Sequence, residues 1–411
     1  MIMITISAST RRRSTKANLA PLPDEPRADA REVIGSVARV SVLSASVVLP
    51  VFLTGALGFQ MRSDLTIGFA TVGGAVALFF FVTSLGSPFA GHAVHRIGPR
   101  TGLTTAGILS ACALTTLATS RSATMLFAAL AIGGVGNAIL HPSAAMALSN
   151  GVSHDRQALA FGVKQSSVPL ATMTAGLAIP AIALSFGWRA TVGSAAVATL
   201  LGGILLPSRL GFGRVPTMPI DPGQHRSRPP VRALVYLSLG GGIGTMAGTA
   251  VGTFFVEGAI ETGLSEATAG ILFAVGSLTS IASRVWIGWA ADRWPKMKRF
   301  QTVSLLLLVG SLGFVLLAAG GRTLAPVGAL MAVGIGWGWT GLFNYLAIHD
   351  RRETAAIATG VVTTGLALGG GLGPLVFGMI AEASSFTTGW WAMAIVCAAA
   401  AAVVFASTRQ S

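Results

Sequence analysis

The decapeptide "GHAVHRIGPR" (Gly91–Arg100) interrupts an otherwise apolar stretch, and a variant of it returns as "GWAADRWPKMKR" (Gly288–Arg299). Each copy opens on glycine, runs three residues to a pair ending in arginine, and continues with further cations. The copies are offset by 197 residues in a chain of 411. An offset of about half the chain is what a duplicated unit produces.

Apolar runs flank the first copy at 67–91 and 101–120, and similar runs fill most of the chain. They fall at 39–59, 122–148, 157–185, 188–206, 232–256, 266–291, 301–320, 323–347, 354–381 and 386–407. A run of about 20 apolar residues is the length a helix needs to cross a bilayer. The runs are continuous and do not alternate with polar residues as barrel strands would, so the spans are helices. Composition agrees. The chain is 52% hydrophobic and 10% charged, with mean hydropathy +0.72, whereas a soluble domain carries about 25% charged residues. The expectation is an all-α integral membrane protein of about twelve spans. The Pro-, Gly- and Arg-rich gap at 207–231 divides it into two pseudo-symmetric six-helix bundles, 39–206 and 232–408, behind a polar tail at 1–38. The tail contains "RRR" but no apolar segment directly after it, so it does not read as an export signal.

Charge placement sets the expected topology. Of 28 Lys and Arg, 22 fall in the even-numbered gaps and the two tails. Four (Arg62, Arg121, Arg189 and Arg322) fall in odd-numbered gaps. The positive-inside rule then puts both termini in the cytoplasm of a multi-pass protein of the inner membrane. It also accounts for the net charge of +14 without nucleic acid as a partner. The acids all fall in or beside the gaps between apolar runs, with Asp64, Glu257, Glu261, Glu266 and Glu382 in or beside outer ones, so no carboxylate is expected within the bilayer. Cys112 and Cys397 sit in apolar runs and form neither a disulfide framework nor a metal-ligand pattern.

The loop copies resemble the signature of the major facilitator superfamily, G-x-x-x-D-R-x-G-R-K/R, placed between spans two and three and in decayed form between eight and nine. The first copy keeps Gly91, Arg96, Gly98 and Arg100 but carries His95 at the aspartate position; the second keeps Gly288, Asp292 and Arg293. "GGGLGPLVFG" (369–378) resembles the family's glycine-proline signature. "AFGVKQSSVP", "SFGWRA" and "GIGWGWTGLFN" are similar to bacterial permeases of the cyanate and organic-anion type. The resemblance implies the major facilitator fold, alternating access between two halves, and a gating role for the loop residues. His95 in place of the acid implies weaker pairing in the first loop.

Three ionisable side chains fall inside apolar runs: Lys164, Arg284 and His141. Lys164 and Arg284 each lie eight residues inside the cytoplasmic boundary, about 12 Å at 1.5 Å per residue, against a half-bilayer of about 15 Å. Snorkelling is the competing reading for the two cations, and for His141, satisfying carbonyls freed by Pro142. In the family's fold the fifth and eighth helices face each other. Two unneutralised cations there repel, and a buried charge needs a partner. An anionic small-molecule substrate bridging Lys164 and Arg284 supplies one. Gln165, Asn137, Asn344, Thr249, Trp337 and His141 are further candidate contacts, with helix packing the alternative for each. The runs "GGGIG" (240–244) and "GGGLG" (369–373) read as close helix contacts and not as nucleotide loops.

The expectation is thus a secondary or facilitative carrier of a small organic or inorganic anion, monomeric, without cofactor or metal. A drug-efflux carrier of the same superfamily is the alternative. Neither a Walker motif nor HExxH or GxSxG occurs, which argues against direct ATP use and an enzyme. Anion entry against an inside-negative potential costs about 2.3 kcal/mol per charge per 100 mV. Net uptake therefore calls on a proton or a counter-anion, with His141 or the substrate carrying the proton.

Overall fold

The computed structural model describes residues 30–148, 162–210, 231–294, 297–349 and 355–407. These residues form helices joined by short turns, with no strand among them. The first span lies in Ala30–Ala56, so residues 30–38, expected in the tail, are helical. A short helix, Gly58–Leu65, precedes the second span, Phe69–Ile97. The third is Pro99–Ala118 and the fourth Ala123–Leu148. The fifth runs through Ser167–Ala178 and a π-turn at Ile179–Ala183. It joins the sixth within one continuous helical stretch, Gly162–Ser208. The two are parted only at Gly187, whose φ of 78° is strained for any residue with a Cβ.

The seventh span is Val231–Glu261, the eighth Glu266–Arg293, the ninth Arg299–Ala319, the eleventh Ala355–Ala383 and the twelfth Phe386–Ser407. The tenth is broken. A short helix, Ala325–Ala329, continues as a π-helix over Leu330–Ile335, turns at 336–339, and resumes at Thr340–His349. Residues 211–230, most of the expected connection between the halves, lie outside the described residues.

Large apolar side chains face outward, among them Leu85 at 73% and Phe89 at 78% exposure. Lipid is the solvent in which such a surface is stable. Polar side chains inside the bundle satisfy themselves along their own helices. Thr54 donates to Pro50 O at 2.7 Å and Ser44 to Val40 O at 2.7 Å. With twelve spans, the start of the first and the end of the twelfth share one face, here called the near face; the other is the far face.

Contacts between the first six spans and the last six run along three seams: second against eleventh, fifth against eighth, and first against seventh. The glycine runs explain how these helices approach. A Cβ on Gly365 would meet the backbone of Ser238, on Gly369 that of Gly242, and on Gly373 that of Met246. A glycine every fourth residue therefore lays the eleventh span directly on the seventh, as small-residue stripes do in membranes. Across the halves, Gly73 meets Pro374 O, and Gly176 and Gly270 meet each other's carbonyls. Gly373→Val is expected to destabilise the fold by about 1–3 kcal/mol through overpacking. Gly91→Ala, with nothing within 4 Å of the new methyl, is expected to leave Tm unchanged or slightly raised. Thermal unfolding of both variants in detergent checks this.

Candidate functional site

The fifth and eighth spans meet along a column of contacts. From the far face inward come Gly176 on Gly270, then Thr172 Oγ1 at 2.7 Å from Ser277 Oγ, then Gln165 against Arg284, and finally Gly162 beside Gly288. Arg284 is 2% exposed and sits at the crossing. Its Nη1 donates to Gln165 O at 2.8 Å and its Nη2 to Trp337 O at 2.8 Å. The guanidinium carbon lies 5.8 Å from the Trp337 ring centroid, and Nε is buried without a partner.

Local sequence explains both carbonyls. Pro169 has no N–H to give the carbonyl four residues earlier, and that carbonyl belongs to Gln165. Trp337 lies in the turn that breaks the tenth span, where the helical ladder is interrupted. Arg284 thus joins one carbonyl of the first six spans to one of the last six. The pairing of the fifth and eighth spans expected from sequence is present. Two arms of the guanidinium fork, expected on a substrate, are instead spent on backbone carbonyls.

Lys164 and Gln165 lie in the helical turn just before Ser166, and both side chains are half-buried. Ser166 closes that turn, its hydroxyl donating to Gly162 O at 2.8 Å. His141 is half-buried in the fourth span and within electrostatic reach of the Lys164 ammonium. Both acceptors of Arg284 are uncharged, and among the described residues no carboxylate pairs with Arg284 or Lys164.

The remaining candidates are engaged in packing. Asn137 Nδ2 donates to Thr83 Oγ1 at 3.2 Å, although its Oδ1 is buried without a partner. Asn344 donates to Thr340 O on its own helix at 2.8 Å. Thr245, Thr249 and Thr253 each donate to the carbonyl four residues earlier, so their hydroxyl protons are committed. The Trp337 ring is buried between Phe52, 6.1 Å away edge-on, and the glycine gaps at Gly248 and Gly252.

The near-face loop keeps its expected residues at the surface. His95 and Arg96 are exposed in the last turn of the second span. Gly98 takes φ 82° and its N–H bonds Val94 O at 2.8 Å, which ends that helix; Pro99 then starts the next. Arg100 donates to Leu210 O, tying this loop to the end of the sixth span. Gly288 is buried against Gly162, and Asp292 and Arg293 close the eighth span.

One expectation fails on the far face. Glu257, expected beside a span, lies inside one. The seventh helix continues to Glu261, and Glu257 is buried at 2% exposure. Arg62 Nε donates to its Oε1 at 2.7 Å, while the Arg62 guanidinium carbon lies 3.5 Å from the Phe69 ring centroid. Two more acids of the last six spans hold the same segment of the first six. Gln60 Nε2 donates to Glu266 Oε2 at 2.7 Å, and Ala70 N to Glu382 Oε2 at 2.8 Å.

The sequence profile described as Major Facilitator Superfamily matches residues 35–364. The chain belongs to the major facilitator superfamily. Two solved structures share the fold of this major facilitator protein, and both are of a bacterial homologue of the human lysosomal transporter Spinster. The inward-facing, occupied form has a TM-score of 0.71 and 14% identity over 91% of this chain and 96% of that one. The inward-facing, unoccupied form has a TM-score of 0.71 and 15% identity over 92% and 98%. Comparison with curated proteins finds no match. The chain is a multi-pass membrane transporter.

Proposed function

We propose that this transporter carries a small organic or inorganic anion across the cytoplasmic membrane by alternating access, with both termini in the cytoplasm. The observation that carries the reading is the charge balance at the fifth–eighth crossing. Arg284 is held by two uncharged carbonyls, Lys164 directly precedes the residue that supplies one of them, His141 lies within electrostatic reach of Lys164, and no carboxylate of the described residues pairs with either cation. Hydrogen bonds to carbonyls hold a guanidinium without cancelling its charge. The site keeps a positive field that an anion neutralises. Lys164, half-buried and at the edge of this field, is the docking ammonium; Arg284 supplies field and, at Nε, one free donor. His141 is the nearest proton carrier if uptake is proton-coupled, and exchange for a counter-anion is the other route.

The family's cyanate and organic-anion permeases are consistent with this class of cargo. The far-face contacts from Gln60, Arg62 and Ala70 hold that side shut, which supports an inward-facing state like that of the Spinster homologue. Drug efflux is not favoured. A cationic drug calls for an unpaired buried acid, and Glu257 is already neutralised by Arg62.

The test is a thermal-shift screen of the purified protein against carboxylates, inorganic anions and cationic drugs, followed by uptake of the hits in proteoliposomes. Stabilisation and saturable uptake of an anion are expected. If cationic drugs alone stabilise the protein and are transported, the anion reading is wrong.

A further inference from the structure

Three of the chain's eight tryptophans, Trp286, Trp289 and Trp294, fall within nine residues at the near-face end of the eighth span. Trp286 and Trp289 continue a stripe of exposed apolar side chains that begins at Ile271, Val275 and Leu278 and faces lipid. Trp294 ends the helix and folds back on it. Its N–H donates to Ala290 O at 2.9 Å, and its ring meets those of Trp286 and Trp289 edge-on at 6.2 and 5.8 Å. The three exposed rings form one platform where a bilayer passes from acyl chain to headgroup. An ordinary aromatic belt spreads such rings around the protein. Here the other exposed tryptophan, Trp391, opens the twelfth span on the far face, and Trp188, Trp337, Trp339 and Trp390 are buried. The first loop copy carries Phe89, His92 and Ile97 at the corresponding positions, so the internal repeat does not call for the cluster.

The same end of the eighth span is cationic. Residues 288–299 hold Arg293, Lys296, Lys298 and Arg299 against one acid, Asp292. Arg293 lies one turn past Trp289 on the exposed stripe, and Lys298 is exposed at the start of the ninth span. Arg299 has a different task. Its Nη2 donates to Ala291 O at 3.4 Å, covering the negative end of the eighth helix, which would otherwise turn an anion away. Asp292 is half-buried and already engaged. Among the described residues, no hydrogen bond or ion pair takes up the Arg293 guanidinium or the Lys298 ammonium. We infer that this end of the eighth span is a binding site for an acidic phospholipid of the near leaflet. Its phosphate pairs with Arg293 and Lys298, the indoles meet its glycerol esters, and an acyl chain lies along the stripe through Leu278. A zwitterionic headgroup offers the same phosphate but carries its own cation, which Arg293 and Lys298 repel, so the acidic lipid is preferred. Arg284 of the same helix looks inward, to carbonyls of the fifth and tenth spans, so the site is independent of the cargo proposed above.

Dioleoyl phosphatidylglycerol and dioleoyl phosphatidylcholine, titrated in competition into the detergent-purified protein with bound lipid counted by native mass spectrometry, test the site. One tight phosphatidylglycerol per chain is expected, favoured over phosphatidylcholine on the order of 10-fold, as two cations beside an acidic headgroup supply. Arg293→Gln combined with Lys298→Gln is expected to abolish that preference, and each single variant to lose part of it. Trp294→Leu keeps an apolar surface but breaks both ring contacts, and is expected to weaken binding of both lipids. Arg209→Gln, which alters an exposed near-face cation at the end of the sixth span, is expected to bind as the unaltered protein does. All these side chains are exposed, so Tm is expected to stay within about a degree. Should the double variant fail to fold, the two single variants decide. Equal binding of the two lipids by the unaltered protein overturns the site, as does an undiminished preference in the cation variants or native binding in Trp294→Leu. A loss in Arg209→Gln as large as in the double variant also overturns it, because the preference then belongs to the charge of the whole near face.

Discussion

Replacing Arg284 by leucine is expected to lower the stability of the fold by about 2–4 kcal/mol, because two buried carbonyls lose their donors at about 1–3 kcal/mol each. The relief of burying one fewer charge offsets part of that loss. Arg284→Lys keeps the charge but replaces a planar fork with a point donor on a shorter reach, so it is expected to recover about half. The mechanism has a sharper signature than the loss itself. Pro169 is the reason the Gln165 carbonyl lacks a helical donor, so Pro169→Ala restores one. In that background Arg284→Leu is expected to cost about 1 kcal/mol less than in the native sequence, a non-additivity that a double-mutant cycle reads directly. Thermal unfolding in detergent checks all four proteins. A native Tm for Arg284→Leu, or strict additivity with Pro169→Ala, would show that the carbonyl bridge contributes nothing.

The second large effect is on transport. Lys164→Gln is expected to reduce kcat/KM for anion uptake about 10- to 100-fold, the worth of one charge-assisted hydrogen bond of about 1.5–3 kcal/mol. Tm is expected to stay within about a degree, because Lys164 is half-buried and leaves no carbonyl orphaned. Lys164→Arg, which keeps the charge, is expected to retain part of the activity. The contrast between the two cations is the diagnostic feature. Arg284 variants lose stability together with activity, whereas Lys164 variants lose activity alone. Wild-type uptake in Lys164→Gln proteoliposomes sinks the docking role.

The sequence made the twelve spans and their order legible because the bilayer imposes a simple rule on both. Apolar length fixes each span, and the cations crowd into alternate gaps. The fifth–eighth pairing was legible too, through the family resemblance carried by the two loop copies. What Arg284 touches was harder to see. Half of it was written in "QSSVP", since a proline at 169 orphans the carbonyl at 165. The other half depends on a break in the tenth span at "GIGWGW", where the residues read as an ordinary apolar run and only tertiary packing decides that the helix opens. Glu257 is less legible, because a charge at the end of an apolar run looks like the end of the span. Gly258, Ala259 and Ile260 follow it, and those residues mark a helix that continues past its acid. The threonines at 245, 249 and 253 do share a face, but periodicity cannot show that each hydroxyl proton is already given to its own helix.

Two cationic contacts seen among the described residues cross between the halves, and they differ in kind. Arg284 grips main-chain oxygens, which neither titrate nor vary with side-chain identity, while Arg62 grips the carboxylate of a side chain. A substitution at either partner of the second contact removes it, whereas the oxygens held by the first persist whatever side chains those residues carry.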